Sequence, residues 1–194
     1  MLFVFAKAPV AGGVKSRLAR EIGVAGAILW YRRSLARTLR TAAAARQCFA
    51  VAAAPSAARF RAHSALAASL FDQAAGDLGR RMADAARRAR GPSIIIGCDI
   101  PGLTSQILCD AAHALGRADL ALGPARDGGF YLIAVRTPGH VFRLYDGVRW
   151  SSAHAMADVL ANVPGHWRVA FLRELQDVDD AAGLAAATAR SIAA

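Results

Sequence analysis

The sequence predicts an α/β protein with a mostly parallel sheet, and three observations support this fold class. Short apolar runs typical of buried strands alternate with longer segments of helical periodicity. Apolar residues continue through these runs, as expected of strands that are covered on both faces. Glycine and proline lie at discrete points rather than in tracts, so the 194 residues are expected to form a single domain, 1–194, without a linker or an internal repeat.

The first half of the chain shows three strand signals. Leu2–Ala6 is a continuous apolar run that ends in the loop Lys7–Arg17, and apolar residues at spacings of three and four then predict a helix over Val24–Ala45. The next expected elements, in order, are a strand over Gln47–Ala53, a helix from Pro55 to about Ala68, a strand at about Leu70–Gln73 and an Ala- and Arg-rich helix ending at Arg90.

The second half begins with the strongest buried-strand signal, Ser93–Gly97, which contains three consecutive isoleucines. Asp127-Gly128-Gly129 then predicts a turn, and a strand that returns from such a turn can run antiparallel to the others. The other expected elements are a helix capped by Thr104 and closed by Gly116, strands over Asp119–Gly123, Phe130–Val135 and Arg168–Leu172, a helix over Ser151–Ala161 and a terminal helix.

The chain is basic, with a formal net charge of +10 from 24 basic and 14 acidic residues. All but two of the basic residues are arginines, and they are spread over predicted helix faces rather than clustered as in a nucleic-acid footprint. We therefore expect no specific nucleic-acid partner. The two exceptions, Lys7 and Lys15, share the first loop, where a compact ammonium group suits phosphate oxygens.

Three cysteines, without CxxC spacing, favour a reducing compartment without structural disulfides. The apolar N-terminus lacks a preceding basic region and is interpreted as a strand rather than a signal peptide. No apolar stretch approaches the roughly 20 residues of a membrane span. A cytoplasmic location is the resulting expectation.

The loop that follows the first strand is the candidate phosphate site. Gly12 and Gly13 allow backbone N–H groups to approach a phosphate, while Lys15 and Arg17 supply positive charge. The loop does not match Walker A, since Val14 separates Gly13 from the lysine, and it has no GxGxxG pattern. A solvated loop with incidental basic residues is the alternative.

Carboxylates that follow later strands are the candidate metal ligands. Asp99 comes directly after the most apolar strand, where a carboxylate is costly to bury unless it binds a cation or lies in a crevice. Asp177 and Asp179 can face one way along an extended segment and share a cation. For Asp99 the alternative is an Asx turn or a helix cap, and for Asp177–Asp180 it is a solvated acidic turn. Asp127 also follows a strand, and its alternative is a plain turn. The histidines have no metal-ligand spacing, and no GxSxG motif is present.

Six motifs in order resemble the bacterial family named rSAM/selenodomain-associated transferase 1, a branch of the GT-A nucleotide-diphospho-sugar transferase superfamily. The resemblance covers essentially the whole chain. The motifs are Phe5-Ala6-Lys7-Ala8-Pro9 with Gly12 and Lys15-Ser16-Arg17-Leu18; Gln73 with Gly76-Asp77-Leu78-Gly79 and Arg81-Met82; Gly97-Cys98-Asp99-Ile100-Pro101-Gly102-Leu103; Pro124-Ala125 with Asp127-Gly128-Gly129-Phe130-Tyr131; Trp150-Ser151; and Asp177-Val178-Asp179.

The resemblance implies a GT-A-like, three-layer α/β/α fold with a mostly parallel mixed sheet. It implies that the first loop, including Lys7, binds nucleotide phosphates, and that Asp99 binds metal with an aspartate of the C-terminal motif. It also marks further substrate-binding positions, namely Gln73, Asp77, Asp127, Gly128, Gly129, Tyr131 and Trp150. The first loop also resembles that of the phospholactate guanylyltransferases. Ser16, Asp180 and Gly183 depart from the family pattern, which has Thr, Thr and Asp there.

The leading functional hypothesis is a transferase that uses Mg²⁺ (or Mn²⁺) and an activated nucleotide, either a nucleoside triphosphate or a nucleotide-diphospho-sugar. Lys15 and Arg17 suit a triphosphate tail, and the Asp-x-Pro sequence at Asp99, rather than Asp-x-Asp, favours nucleotidyl transfer to a small phosphorylated or hydroxyl acceptor near Asp127–Tyr131 and Trp150. Glycosyl transfer is the alternative. A non-catalytic nucleotide- or nucleic-acid-binding protein is a further alternative, supported only by the charge.

Overall fold

A computed structural model describes residues 1–45, 47–63 and 69–185. Seven strands form one sheet: β1 (Leu2–Lys7), β2 (Phe49–Ala54), β3 (Ser69–Asp72), β4 (Ser93–Ile96), β5 (Leu120–Pro124), β6 (Phe130–Val135) and β7 (Val169–Phe171). The helices are α1 (Ser16–Ala44), α2 (Ala57–His63), α3 (Leu78–Arg87), α4 (Ser105–Ala114) and α5 (Ala155–Ala161), with a 3-10 helix over Pro138–Tyr145.

The strand order is β3-β2-β1-β4-β6-β5-β7. Strand β6 is antiparallel to both of its neighbours, while β1 pairs in parallel with β2 and β4, and β5 with β7. The mostly parallel sheet and the reversed strand behind the Asp-Gly-Gly turn are thus confirmed. The carboxyl ends of β1 and β4 are adjacent, which brings the first loop and Asp99 to one edge of the sheet.

The sheet lies between two helical layers, because successive strand residues face opposite sides. Leu2, Val4, Ile94 and Ile96 pack towards α1, α2 and α4. Phe3 and Ile95 pack towards α3, the 3-10 helix and α5. Both faces are therefore apolar, which explains the continuous apolar strands and confirms the three-layer α/β/α architecture.

Helix α1 differs from the prediction because it begins at Ser16 rather than Val24. The helical segment that precedes Gly23 was missed, and Gly23 itself has non-helical dihedral angles (φ 78°, ψ 158°) that kink the helix. Arg17 therefore lies in the first turn of a helix and not in a loop. The long apolar face predicted for the second part of the helix is present, with Tyr31, Leu35 and Leu39 buried.

Smaller differences concern the ends of other elements. Helix α5 begins at Ala155 rather than Ser151, because residues 151–154 form turns and Ser151 has a positive φ of 58°. The 3-10 helix was not predicted. The cap of α4 is confirmed, since Thr104 accepts a hydrogen bond from the Ile107 amide (3.3 Å). The helix predicted from Pro55 to about Ala68 is α2, and its predicted end lies outside the described residues. Residues 181–185 are helical, and the rest of the predicted terminal helix also lies outside the described residues.

Candidate active site at the carboxyl edge of the sheet

The site is centred on Lys15, whose ammonium group lies between two carboxylates. Lys15 Nζ is 2.7 Å from Asp99 Oδ2 and 2.6 Å from Asp179 Oδ1. The Lys15 side chain is only 6% exposed, whereas those of Asp99 and Asp179 are 32% and 46% exposed. Arg17 stands further out, with its guanidinium 3.9 Å from Asp179 Oδ2. The structure therefore brings together four of the predicted site residues.

The backbone explains why residues distant in sequence converge. Strand β5 is continued by a bridge between Ala125 and Leu175, and the Leu175 amide donates to Pro124 O (3.0 Å). Three residues later, the Val178 amide donates to Asp99 O (3.3 Å). The acidic segment 177–179 is thereby fixed between the end of β4 and the turn that precedes β6.

Electrostatics at this edge favour a bound cation. Burial alone would lower the pKa of Lys15, but Asp99 and Asp179 outweigh that effect through charge and hydrogen bonding, so its pKa is raised and the side chain is protonated. Burial raises the pKa of Asp177 to about 6, and the charges of Asp127, Asp179 and Asp99 add to the increase. Four carboxylates are thus close enough to repel one another, with Lys15 as their buried counter-charge.

The donor set fits a hard divalent cation. One ammonium group contacts both Asp99 Oδ2 and Asp179 Oδ1, so these oxygens already converge on one positive charge. Carboxylate oxygens are ligands that Mg²⁺ and Mn²⁺ accept, with water and phosphate completing the shell. In the described part of the chain, no group of three or more His, Cys, Asp or Glu side chains is arranged to hold a metal. Asp177 therefore lies near this pair without forming a three-carboxylate cage.

The first loop turns tightly before α1. Gly12 has φ 75°, a conformation that favours glycine, and the Gly13 amide donates to Val10 O (3.0 Å). Lys15 itself adopts a left-handed conformation (φ 50°, ψ 50°) immediately before Ser16. Lys7, at the end of β1, is exposed. The loop and the first turn of α1 lie at the same edge of the sheet as the carboxylates, and the Val10 and Gly13 amides are already hydrogen-bonded within the loop.

The remaining predicted substrate-binding residues are engaged in the fold. Gln73 donates to Ala52 O (2.8 Å), Asp77 caps α3 by accepting from the Arg80 amide (2.8 Å), and Asp127 accepts from the Gly129 amide (2.9 Å) in the turn that was the alternative interpretation. Among the described residues, no hydrogen bond joins these three side chains to Lys15, Asp99 or Asp179.

Of the two aromatic residues of the predicted set, Tyr131 is buried in the core and Trp150 is partly buried. Tyr131 is 4% exposed and its hydroxyl donates to Arg173 O (2.9 Å), while burial raises its pKa to about 12. The polar group of Tyr131 is thus already paired within the fold, and its role in substrate binding stays a prediction. Trp150 packs edge-on against Phe130 and at a tilt against Tyr145, with ring centroids 6.3 and 5.9 Å apart, respectively.

Glycine permits close packing at two places, one beside Trp150 and one beside Ala153. A Cβ at Gly79 would lie 2.6 Å from Tyr145 Cβ and 2.7 Å from Trp150 Cζ2, and one at Gly128 would overlap the Ala153 carbonyl. Gly128 also has a positive φ of 85°. A cleft of about 390 Å³ opens beside Gly79, lined by Gly76, Asp77, Gly79, Arg80, Tyr145 and Asp146.

Sequence reasoning missed a buried polar network behind the site. The Tyr31 hydroxyl accepts from the Lys7 amide (2.8 Å) and donates to Lys7 O (2.9 Å), and Cys98 Sγ lies 3.3 Å from it. Ser34 and Thr38 both donate to Cys98 O (2.9 and 3.4 Å). Helix α1 thereby joins the ends of β1 and β4, and burial raises the pKa of the Cys98 thiol to about 12, which keeps it protonated. Polar residues at the helical spacing 31, 34, 38 on an otherwise apolar face were the available signal.

The fold is shared with several solved structures. A protein from Desulfovibrio desulfuricans G20 that carries the provisional name nucleotide-diphospho-sugar transferase is 28% identical, with a TM-score of 0.87 over 94% of this chain and 83% of that one. Rv0371c from Mycobacterium tuberculosis H37Rv, crystallised with manganese, is 18% identical with a TM-score of 0.57 over 96% of each chain. The 4-diphosphocytidyl-2C-methyl-D-erythritol synthase from Anaerococcus prevotii DSM 20548 is 6% identical with a TM-score of 0.64 over 98% and 95%.

These likenesses confirm the predicted fold, that of nucleotide-diphospho-sugar transferases and nucleotidyltransferases. No curated protein matches the chain. A family profile matches residues 35–152, which include Asp99 and Asp127–Tyr131 but neither the first loop nor the C-terminal aspartates. The chain belongs to this family, described as uncharacterised protein conserved in bacteria (DUF2064).

Proposed function

We propose that this protein is a divalent-metal-dependent transferase that uses an activated nucleotide, with nucleotidyl transfer to a small phosphorylated or hydroxyl acceptor as its reaction. The observation that carries the proposal is the convergence of Asp99 and Asp179 on the Lys15 ammonium at the carboxyl edge of β1 and β4. Ligands of open α/β sheets bind at this edge. A basic group and paired carboxylates at one point are what a metal-bound triphosphate requires.

Each part of the site has a proposed role. Lys15, Arg17 and Lys7 bind phosphate oxygens and neutralise the charge that develops on departing pyrophosphate, and Gly12 and Gly13 let the phosphate approach the backbone of the first loop closely. Asp99 and Asp179 hold Mg²⁺ or Mn²⁺, with Asp177 as an outer partner. When bound, the metal ion supplies Lewis-acid polarisation of the transferred phosphate. The manganese complex of Rv0371c supports this choice of cofactor.

The acceptor is proposed to lie near the Asp127–Gly129 turn and Trp150, and Gln73 and Asp77 are proposed as further substrate-binding residues. This part of the proposal, like the narrower relation to the rSAM/selenodomain-associated transferases, rests on the resemblance of the motifs. The cytoplasm is the proposed compartment, since Cys48, Cys98 and Cys109 are free thiols.

Glycosyl transfer from a nucleotide sugar is the second candidate, and the relative from Desulfovibrio desulfuricans G20 favours it. That protein is 28% identical and its provisional name specifies a nucleotide-diphospho-sugar substrate. The two reactions differ in their leaving groups, which are pyrophosphate for nucleotidyl transfer and a nucleoside diphosphate or monophosphate for glycosyl transfer. Product analysis therefore separates them.

The test begins with thermal unfolding against nucleoside triphosphates and nucleotide sugars, each with MgCl₂ or with EDTA. A ligand at about 100 times its dissociation constant adds about 2.7 kcal/mol of stability, which shifts Tm by several degrees. Stabilisation by triphosphates that EDTA abolishes supports the leading proposal, and stabilisation by nucleotide sugars alone supports the second. If no nucleotide of either class stabilises the protein, the transferase proposal is wrong.

A further inference from the structure

The Lys15 side chain is engaged by other groups in this structure and is not open to a phosphate. Its ammonium makes two short contacts, 2.7 Å to Asp99 and 2.6 Å to Asp179, and the side chain is 6% exposed. The Trp30 ring, 5.6 Å from Nζ, covers it from a third side. A lysine that simply waits for a phosphate in a solvated loop would lack these partners, so Lys15 must exchange them for phosphate when a nucleotide binds.

The two carboxylates that hold Lys15 are those proposed to hold the metal ion. Magnesium binds oxygen at about 2.0–2.1 Å, so a metal centre between Asp99 Oδ2 and Asp179 Oδ1 would overlap the space that Nζ fills. Two positive charges at that separation, partly shielded from water, repel strongly. The ammonium and the metal therefore exclude each other while the carboxylates keep this arrangement.

Lys15 can move its ammonium group away from the carboxylates by changing the conformation of its side chain alone. Lys15 directly precedes Ser16 at the start of α1, and its carbonyl accepts from the Ala19 amide (2.9 Å), so its backbone is fixed by the helix. The flexible four-carbon stem of lysine can move the ammonium without any change in that backbone. Arg17, whose side chain is 71% exposed, lies beside Asp179, with its guanidinium 3.9 Å from Asp179 Oδ2.

We infer that Lys15 is the internal counter-ion of the metal site: it occupies the metal position in the free protein and leaves for the phosphates when the metal enters. This inference rests on the proposed function. Its consequence is a coupling between the two ligands, because a metal without a phosphate must displace the ammonium without offering it a new partner. Metal and nucleotide then bind well together and poorly apart, and by linkage each strengthens the other equally.

The decisive measurement is the binding of Mn²⁺ alone, followed by electron paramagnetic resonance without nucleotide. Lys15→Met keeps the length of the side chain and removes its charge. We expect this variant to bind Mn²⁺ about tenfold more tightly than wild type, within the fivefold to 150-fold range that is usual for such couplings. Arg20→Ala removes one positive charge from an exposed position on the same helix and is the matched control for the general electrostatic effect. It should change the affinity by about twofold or less, as expected of a screened charge.

Lys15→Gln provides a second neutral variant, and circular dichroism with thermal melting establishes that each variant is folded. A second measurement determines the affinity for inorganic pyrophosphate in the presence of EDTA. Lys15→Met should bind pyrophosphate more weakly than wild type. If Lys15→Met and Arg20→Ala change Mn²⁺ affinity equally, the counter-ion role is wrong while the metal site stands. If wild type and all variants fail to bind Mn²⁺, the metal site of the proposed function fails, and the inference fails with it.

Discussion

At the level of single residues, the charge of Lys15 should determine the affinity of the candidate site for the phosphates of a nucleotide. Lys15→Ala should weaken nucleotide binding about tenfold to a hundredfold, since a charged hydrogen bond contributes roughly 1.5–3 kcal/mol. The loss of folded stability should be small, because Asp99 and Asp179 stay partly exposed and water can solvate them. Isothermal titration calorimetry with the nucleotide selected by thermal shift measures the effect, and an unchanged affinity would remove Lys15 from the phosphate site.

Asp99 is the residue on which metal binding should depend most. Asp99→Asn keeps the shape of the side chain but removes the charge that faces Lys15, so Mn²⁺ affinity measured with nucleotide present should fall strongly. Turnover should fall on the order of a thousandfold, because metal stabilisation of the transferred phosphate is worth several kcal/mol. Asp110→Asn, on the exposed side of α4, is the control. Equal metal affinity in wild type and Asp99→Asn would contradict the assignment.

Asp177 makes stability depend on pH at the same site. Its pKa rises from 3.8 to about 6, so the folded state binds this proton more tightly than the unfolded chain does. The stabilising contribution of the protonated group is complete at low pH and is lost as the pH rises through about 6. In EDTA, the difference in Tm between Asp177→Asn and wild type should therefore increase from about pH 4 to about pH 7. A pH-independent difference would show that neither burial nor the neighbouring carboxylates raise the pKa of Asp177.

The sequence predicts the residue types of the site better than their contacts. Lys15, Asp99 and the C-terminal aspartates were found from strand ends and from the charge of the first loop. The pairing of Lys15 with Asp179 spans 164 positions and depends on the Val178–Asp99 backbone hydrogen bond, which leaves no local pattern. The capping role of Asp77 does have a local pattern, an aspartate directly before a helical segment.

At the level of elements, the tight contact of α3 with Tyr145 and Trp150 depends on Gly79. Gly79→Ala places a methyl group 2.6 Å from Tyr145 Cβ and 2.7 Å from Trp150, so we expect about 1–3 kcal/mol of destabilisation from overpacking. Gly91→Ala is the matched control, because a Cβ there meets nothing within 4 Å. Chemical denaturation of both variants gives the two free energies of unfolding. Equal values would mean that Tyr145 and Trp150 move aside without cost.

The strands were predictable and the irregular elements were not. Continuous apolar runs identify strands such as β1 and β4 because both faces of the sheet are covered. The first turns of α1 were missed because Ile22 and Val24 are exposed and Gly23 interrupts the helical periodicity. The 3-10 helix at Pro138–Tyr145 has too few residues per hydrogen-bonded turn to follow the periodicity of an α-helix.

At the level of the whole molecule, the net charge of +10 determines how the protein associates non-specifically with nucleic acid. Arginines lie on several elements, among them Arg33 on α1, Arg81 on α3 and Arg149 before α5, rather than on one face. Filter binding to arbitrary DNA and RNA at physiological salt should therefore show only weak, salt-dependent association. A sub-micromolar, sequence-dependent complex would contradict this expectation. In the described ranges, no helix is both long and apolar enough to cross a membrane.

The position of β6 bears on the synthesis of the protein. Strand β6 lies between β4 and β5, so the hydrogen bonds that join β3-β2-β1-β4 to β5-β7 all run through it. A nascent chain that ends before Phe130 can pair the first four strands, but it leaves Ile94, Ile95 and Ile96 along an open sheet edge. Open apolar edges pair with other chains. The ribosome must therefore deliver the segment to Val135 before this edge is covered, and a gene truncated before that codon would yield an aggregating product rather than a stable half.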